Sequence, residues 1–209
     1  MKYYDVLCGF MFIITDTNPY SNGARIAFLL DVSMRVSEVD FYLQRFTAAE
    51  VALELSMELT KFDAAVVKYS DEPTLVLKFS PIDDFYTFLY GPVYWPGKSA
   101  GRQRIDKALT FTSKYVFSSA GQEIPKIAIL FAFTEHLQPG HPLGKASESL
   151  RQKGVRILVV EVNSINPRKE LLNITEREND LIHVRSIYEL PYNDIIYLVT
   201  IVLRAIGKY

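Results

Sequence analysis

The sequence predicts an α/β fold: a doubly wound, mostly parallel central sheet with helices on both faces and one antiparallel edge strand. Short, nearly continuous apolar runs recur along the chain, as is typical of strands buried on both faces. Segments with helical spacing separate most of these runs, which predicts right-handed crossovers between parallel strands. A tight turn at 70–73 joins two neighbouring runs into a hairpin, so the second run becomes the antiparallel edge.

Each element follows from its own local pattern. The helix after the first strand, for example, is predicted because Phe41, Val51 and Leu55 recur at helical spacing. Strands are expected over 24–30, 64–69, 75–79, 127–133, 155–162 and, more weakly, 181–184. Helices are expected over 39–60, 81–90, 103–118, from the Pro/Gly loop 137–144 to about 153, 167–173 and 192–206.

Composition excludes several classes of protein. The 209 residues are 49% apolar and 22% charged, which excludes a disordered or collagen-like chain. A formal net charge of −1 gives no general attraction to nucleic acid or to anionic membranes, so any electrostatic function depends on local patches. The one cysteine, Cys8, allows neither an internal disulfide nor a cysteine-based zinc site.

The first twenty residues differ from the rest. Lys2 precedes an apolar run at 6–14, a length that suits the hydrophobic part of a signal peptide and is too short to span a bilayer. Asp5 is unfavourable there, and the alternative is an N-terminal strand. We expect a leader over 1–20, a single domain over 21–209 and secretion, in which case Asn173 in Asn-Ile-Thr is a glycosylation acceptor.

In open sheets of this kind, ligands bind beyond the carboxyl ends of the strands. The residues that follow the apolar runs there are DVSMR at 31–35, the loop 95–104 and Thr-Glu-His at 134–136. These three places, in this order, resemble the von Willebrand factor type A domain over about 24–206. The sequence segments that resemble the family are VVKYSD at 66–71, AGRQRIDKAL at 100–109, FTEH at 133–136, GVRILVVEV at 154–162 and HVRSIYELP at 183–191.

The resemblance implies a Rossmann-like fold and a metal-ion-dependent adhesion site. In the family, two serines and a threonine bind Mg²⁺ directly and two aspartates act largely through water. Asp31 and Ser33 match that pattern, whereas Gln103 replaces the threonine and Glu135 replaces the last aspartate. Glutamine and glutamate still offer oxygen. Arg35, in place of the second serine, has no lone pair to donate, so Mg²⁺ is possible but disfavoured.

We therefore expect the metal to be replaced by an internal ion pair of Arg35 with Asp31 and Glu135. Lys98, Arg102 and Arg104 on the neighbouring loop would form a cationic rim. Such a face would bind an anionic partner directly, for example a sulfated glycan or an acidic matrix protein. The alternatives are a solvated charged loop on a degenerate site and a working Mg²⁺ site that captures an acidic protein ligand.

Other motifs point to no chemistry. The stretch 92–99 nearly matches a phosphate-binding loop, but its prolines remove backbone N–H donors, which weighs against the alternative of a nucleotide-binding enzyme. His136 and His141 fit a loop surface, and His183 fits a structural role. No candidate nucleophile is found. The sequence predicts a non-enzymatic, extracellular adhesion or matrix-interaction module, and an intracellular domain of the same type remains the reading if residues 1–20 are retained.

Overall fold

The computed structural model describes residues 23–91, 95–96, 101–118, 124–133, 142–162, 169–189 and 192–208. Its strands are β1 Gly23–Asp31, β2 Lys61–Tyr69, β3 Thr74–Ser80, β4 Lys126–Phe133, β5 Val155–Val162 and β6 Leu181–Val184. Its helices are α1 Glu38–Glu58, α2 Ile82–Tyr90, α3 Ile105–Phe111, α4 Leu143–Arg151, α5 Lys169–Leu172 and α6 Tyr192–Ala205. The proposed leader over 1–20 lies outside the described residues and remains a prediction.

The sheet has the order β3-β2-β1-β4-β5-β6. All neighbouring strands are parallel except β2 and β3, which confirms the predicted antiparallel edge. β1 lies between β2 and β4, so its last residue, Asp31, emerges at the centre of the carboxyl edge, beside Tyr69 of β2. This is the edge at which the sequence predicted a site.

Helices cover both faces of the sheet, which confirms the doubly wound architecture. Ile26, Phe28 and Leu30 of β1 point into the core layer beneath α1, α2 and α6. Ala27 and Leu29 point into the opposite layer, beneath α3, α4 and α5. Both layers exclude water almost completely, which explains why the strands read as continuous apolar runs.

Two helices bear on the site through their first residues. α1 begins in a capping box, in which the Ser37 hydroxyl accepts from the Asp40 N–H and the Asp40 carboxylate accepts from the Ser37 N–H, both at 3.1 Å. α3 begins at Ile105, two residues later than predicted, because Gln103 and Arg104 keep a non-helical backbone. The rest of the predicted helix 103–118 ends in a π-helical turn over Thr112–Val116.

Within the part of the chain that the structure describes, none of the helices combines the length and the apolar character that crossing a bilayer requires.

Candidate ligand-binding site at the carboxyl edge of the sheet

Asp31 is the centre of the site. Its side chain is completely buried, and its two carboxylate oxygens take different donors. Oδ1 accepts the backbone N–H of Ser33 at 2.8 Å, and Oδ2 accepts the side-chain amide of Gln103 at 2.6 Å. The structure therefore brings together three of the residues that the sequence placed in one site.

Gln103 joins the ends of two strands. Its Nε2 donates to Asp31 at the end of β1 and, at 3.3 Å, to the carbonyl of Phe133 at the end of β4. Two acceptors on one nitrogen fix the orientation of the amide, so the nitrogen faces the carboxylate and the oxygen points away. Within the described residues, Gln103 Oε1 and the Ser33 hydroxyl are buried and have no hydrogen-bond partner of acceptable geometry.

Gln44 and Tyr69 support the site, and the sequence analysis did not single them out. Gln44 of α1 is fully buried; its Oε1 accepts from the Asp31 N–H at 2.8 Å and its Nε2 donates to the Asp31 carbonyl at 3.0 Å. Tyr69 donates its hydroxyl to the carbonyl of Phe131 at 2.5 Å. Gln44 could have been found, because it is a polar residue three positions after Phe41 on the buried face of α1.

Burial decides the electrostatics of the site. It raises the pKa of Asp31 from 3.8 to about 6, because the charged carboxylate loses its hydration; donors from Ser33 and Gln103 offset only part of this cost. Burial and the neighbouring charge of Asp31 raise the pKa of Tyr69 well above its ordinary value, so that phenol stays neutral. The site therefore carries one buried negative charge.

The raised pKa of Asp31 predicts that stability increases as the pH falls. The folded state binds this proton more tightly than the unfolded chain, so the cost of the buried charge is present above about pH 6 and is relieved as the pH falls toward 4. Between about pH 7 and pH 5 the expected gain in the free energy of unfolding from this group is about 1 kcal/mol. Urea titrations of the wild type and of Asp31→Asn at both pH values measure it.

The Asp31→Asn variant isolates the group. Asparagine can still accept the Ser33 N–H through Oδ1. Its Nδ2 is a donor, so the Gln103 amide must rotate and present Oε1 to accept from it. We expect the variant to lack the wild-type gain at low pH, whatever its stability at neutral pH. An equal pH dependence in both proteins would contradict the assignment to Asp31.

A glycine fixes the loop that carries Gln103. Gly101 has φ +81° and accepts the Met34 N–H on its carbonyl at 2.8 Å, which ties this loop to the loop after β1. A Cβ at this position would lie within 2.0 Å of a carboxylate oxygen of Asp71, in the β2–β3 turn. Only glycine meets both conditions without rearrangement.

The structure describes three of the predicted cationic residues. Arg35 is exposed, and the carboxylate oxygens of Asp31 accept from Ser33 and Gln103. The predicted pair of Arg35 with Glu135 stays a prediction. Arg102 is also exposed. Arg104 forms a bidentate pair with Asp106 at 2.9 and 2.7 Å, and this pairing raises the pKa of the guanidinium. The carboxylate of Asp106 offsets the positive charge that Arg104 would otherwise add to the rim. Lys98 and Glu135 lie outside the described residues.

The other residues from the sequence analysis lie away from Asp31 or outside the description. His183 of β6 contacts the fully buried carboxylate of Glu161 at 3.3 Å, which fits its predicted structural role. Asn173 is exposed in the turn after α5, and Thr175 of its acceptor triplet is buried. Most of the stretch 92–99 is not described, and the same holds for His136 and His141.

With this geometry in place, comparison with known proteins decides the family. The sequence model of the von Willebrand factor type A domain matches residues 26–192, most of the chain. The chain belongs to the von Willebrand factor type A family. A comparison with curated protein sequences finds no match.

Solved structures confirm the type A fold. Proximal thread matrix protein 1 from the mussel byssus superposes with a TM-score of 0.69 at 19% identity, over 87% of this chain and 47% of that one. A structure of the same mussel protein, described as having a zinc-occupied MIDAS motif, gives 0.69 at 22% identity over 86% and 46%. BatB from Bacteroides thetaiotaomicron gives 0.65 at 11% over 88% and 98%. The chain spans about half the length of the mussel protein.

The type A family implies a Mg²⁺ ion at this edge, and the described residues do not fit it. Mg²⁺ requires compact oxygen ligation, but the group on the carboxylate of Asp31 is the amide nitrogen of Gln103. Arg35 replaces a hydroxyl with a permanent cation. Gln103, rather than Arg35, is hydrogen-bonded to the carboxylate of Asp31.

Proposed function

We propose that this type A domain is a non-enzymatic, extracellular protein-interaction module that binds its partner without a metal ion. The observation that carries the proposal is the hydrogen bond of 2.6 Å from Gln103 Nε2 to Asp31 Oδ2. This amide supplies a donor to the buried carboxylate and also donates to the carbonyl of Phe133 at the end of β4, so it offsets part of the cost of the buried charge without a cation. The edge therefore needs no metal to be held in one arrangement.

The partner we propose is anionic, such as an acidic matrix protein or a sulfated glycan. Arg35 and Arg102 are both exposed on the loops that flank Asp31, so a ligand at this edge can reach their side chains. Lys98 of the same loop is proposed as a third contact. Met34 is 47% exposed beside Arg35 and adds an apolar contact. Because Arg104 is already paired with Asp106, we expect it to contribute less to ligand binding than Arg35 and Arg102.

The extracellular setting is part of the proposal. The mussel protein with the same fold is a matrix protein, and the apolar run at 6–14 suits a cleaved leader. If the chain is secreted, the exposed Asn173 is its glycosylation site. An intracellular type A domain in a protein complex is the alternative, and mass spectrometry of the protein recovered from its native cells would decide whether 1–20 are present.

The binding claim is tested with heparin fragments and poly-glutamate as anionic probes, in EDTA and in Mg²⁺. We expect equal binding in both buffers and a loss of at least about tenfold in affinity for Arg35→Ala combined with Arg102→Ala, since each side chain would pair with the probe. Arg185→Ala combined with Arg177→Ala, at exposed positions elsewhere, is the matched control and should bind like the wild type.

Two outcomes would contradict the proposal. Binding that disappears in EDTA would establish the alternative, a working metal site that captures an acidic ligand. Binding that survives the double variant, or falls equally in the control, would leave the loops at 31–35 and 101–104 as an ordinary solvated surface.

A further inference from the structure

The outer face of α1 is apolar where a surface helix is ordinarily polar. The side chains of Val39, Tyr42, Phe46 and Met57 are between 44% and 65% exposed, and Leu53 is half-buried between them. At 3.6 residues per turn these five residues fall within a sector of about 60° and extend for about 27 Å. The opposite face of α1 packs into the core, so the helix is apolar on both sides, a pattern typical of a helix that is covered. We call these five residues the α1 stripe.

Acidic residues border the α1 stripe. The 21 residues of α1 include five acidic residues and one basic residue. The basic residue, Arg45, turns inward and donates to the carbonyls of Phe88 and Gly91 at 3.1 and 3.0 Å, so its charge does not reach the stripe. Glu50 and Glu54 lie on the same side of the stripe, about 20° and about 60° around the helix from Val39 and Met57. Among the described residues neither forms an ion pair.

A groove between α1 and α6 lies on the Glu54 side of the stripe. Glu54 and Glu58 of α1 line it together with Ile196, Val199 and Leu203 of α6, and so do the polar side chains of Thr200 and Arg204. Glu58 is paired with Lys208 at 3.7 Å. The groove therefore carries both signs of charge, and Glu50 and Glu54 separate it from the apolar stripe.

We propose that the α1 stripe docks an amphipathic helix of a partner protein that carries lysine or arginine beside an apolar face. Apolar side chains of such a helix would cover the α1 stripe, and its cations would pair with Glu50 and Glu54. A second copy of this chain fits less well, because two-fold packing would bring these acidic borders together. A membrane surface fits less well because helices that bind it carry Lys or Arg around their apolar face.

The test uses three synthetic helical peptides of about 18 residues, long enough to cover the stripe. The first has leucines on one face flanked by lysines; the second replaces the leucines with glutamines, and the third replaces the lysines with glutamates. At about 0.15 M salt, where weak surface electrostatics are screened, we expect the first to bind at least about tenfold tighter than the other two in fluorescence anisotropy.

Variants locate the site. We expect Glu50→Lys combined with Glu54→Lys, and separately Phe46→Ser, to weaken binding of the first peptide at least about tenfold, because each removes one half of the recognition. All three positions are at least partly exposed, so the fold should not depend on them. Glu176→Lys combined with Glu178→Lys, at exposed positions in the segment before β6, is the matched charge reversal and should leave binding unchanged.

Three results would overturn the proposal. Equal binding of the first and third peptides would show that the partner helix need not be basic. Equal weakening by both charge reversals would show that the peptide is attracted by the overall charge of the domain and not by the α1 stripe. A wild-type dimer in analytical ultracentrifugation that Phe46→Ser dissociates would identify a second copy as the occupant. The test does not involve Asp31 or Arg35, so its failure leaves the proposed function standing, and the reverse is also true.

Discussion

Gln44→Leu is expected to lower the free energy of unfolding by about 3 kcal/mol, although it changes one side chain for another of similar size. The loss follows from the backbone of Asp31, whose N–H and carbonyl both bond to the Gln44 amide in a fully buried setting. Leucine would leave both groups without a partner, and each buried unsatisfied group costs about 1–3 kcal/mol. Urea unfolding at neutral pH measures the difference.

Gln152→Leu is the control for this variant. Gln152 is exposed after α4, and its side-chain amide donates to Glu148 at 3.4 Å, so we expect a change within about 0.5 kcal/mol. If Gln44→Leu were equally harmless, water would be replacing the amide, and the end of β1 would be more accessible than its burial indicates. A large loss would establish that α1 holds Asp31 in place through this one residue.

The strands were predictable because the burial of each strand position determines whether its residue is apolar. In a parallel sheet covered on both faces nearly every position of a strand is buried, so β5 is apolar except for Arg156 and Glu161 and was predicted with the same bounds, 155–162. The turn before Thr74 likewise predicted the antiparallel β3. Helix starts were less accurate. α3 begins later than predicted because Gln103 is held by Asp31 and Phe133, contacts that lie far away in the sequence.

The site was predictable as a set of residues but not as an arrangement. The ends of the predicted strands singled out the loops, the resemblance to the type A family singled out Asp31, Ser33 and Gln103 within them, and these residues do meet. A glutamine, however, can present either an oxygen or a nitrogen, and the choice depends on the carbonyl of Phe133, at the end of another strand. For the same reason the sequence assigned to Arg35 a contact with Asp31 that Gln103 makes instead.

Supporting residues were hardest to find from the sequence. Gln44 lies on the apolar face of α1, where a single polar residue is a signal, but nothing in the sequence says which backbone groups it satisfies. Gly101 has a clearer physical reason once the structure is known, since Asp71 occupies the space of its missing Cβ. Both residues fix the loops around Asp31 without touching a ligand, and such roles become visible only when the chain is folded.

If Gln103 is what closes the site to metal, restoring the family residues should open it. We expect the double variant Arg35→Ser with Gln103→Thr to gain a rise in melting temperature in Mg²⁺ or Mn²⁺, while the wild type melts at the same temperature in either metal and in EDTA. Serine and threonine would return two hydroxyl ligands beside Asp31 and Ser33 and would remove the fixed cation. A metal at a hundred times its dissociation constant stabilises by about 2.7 kcal/mol, or about 5–10 °C for a domain of this size.

The single variants separate the two causes. Gln103 is buried on the carboxylate and Arg35 is exposed, so Gln103→Thr alone should recover more of the metal response than Arg35→Ser alone. Gln152→Thr combined with Arg185→Ser makes the same exchanges at exposed positions and should not respond to metal. A metal-dependent rise in the wild type would mean that the Gln103 amide rotates to present Oε1 and that adhesion through a cation is retained. A double variant without any response would place the loss of metal binding in Glu135 or in the loop that carries it.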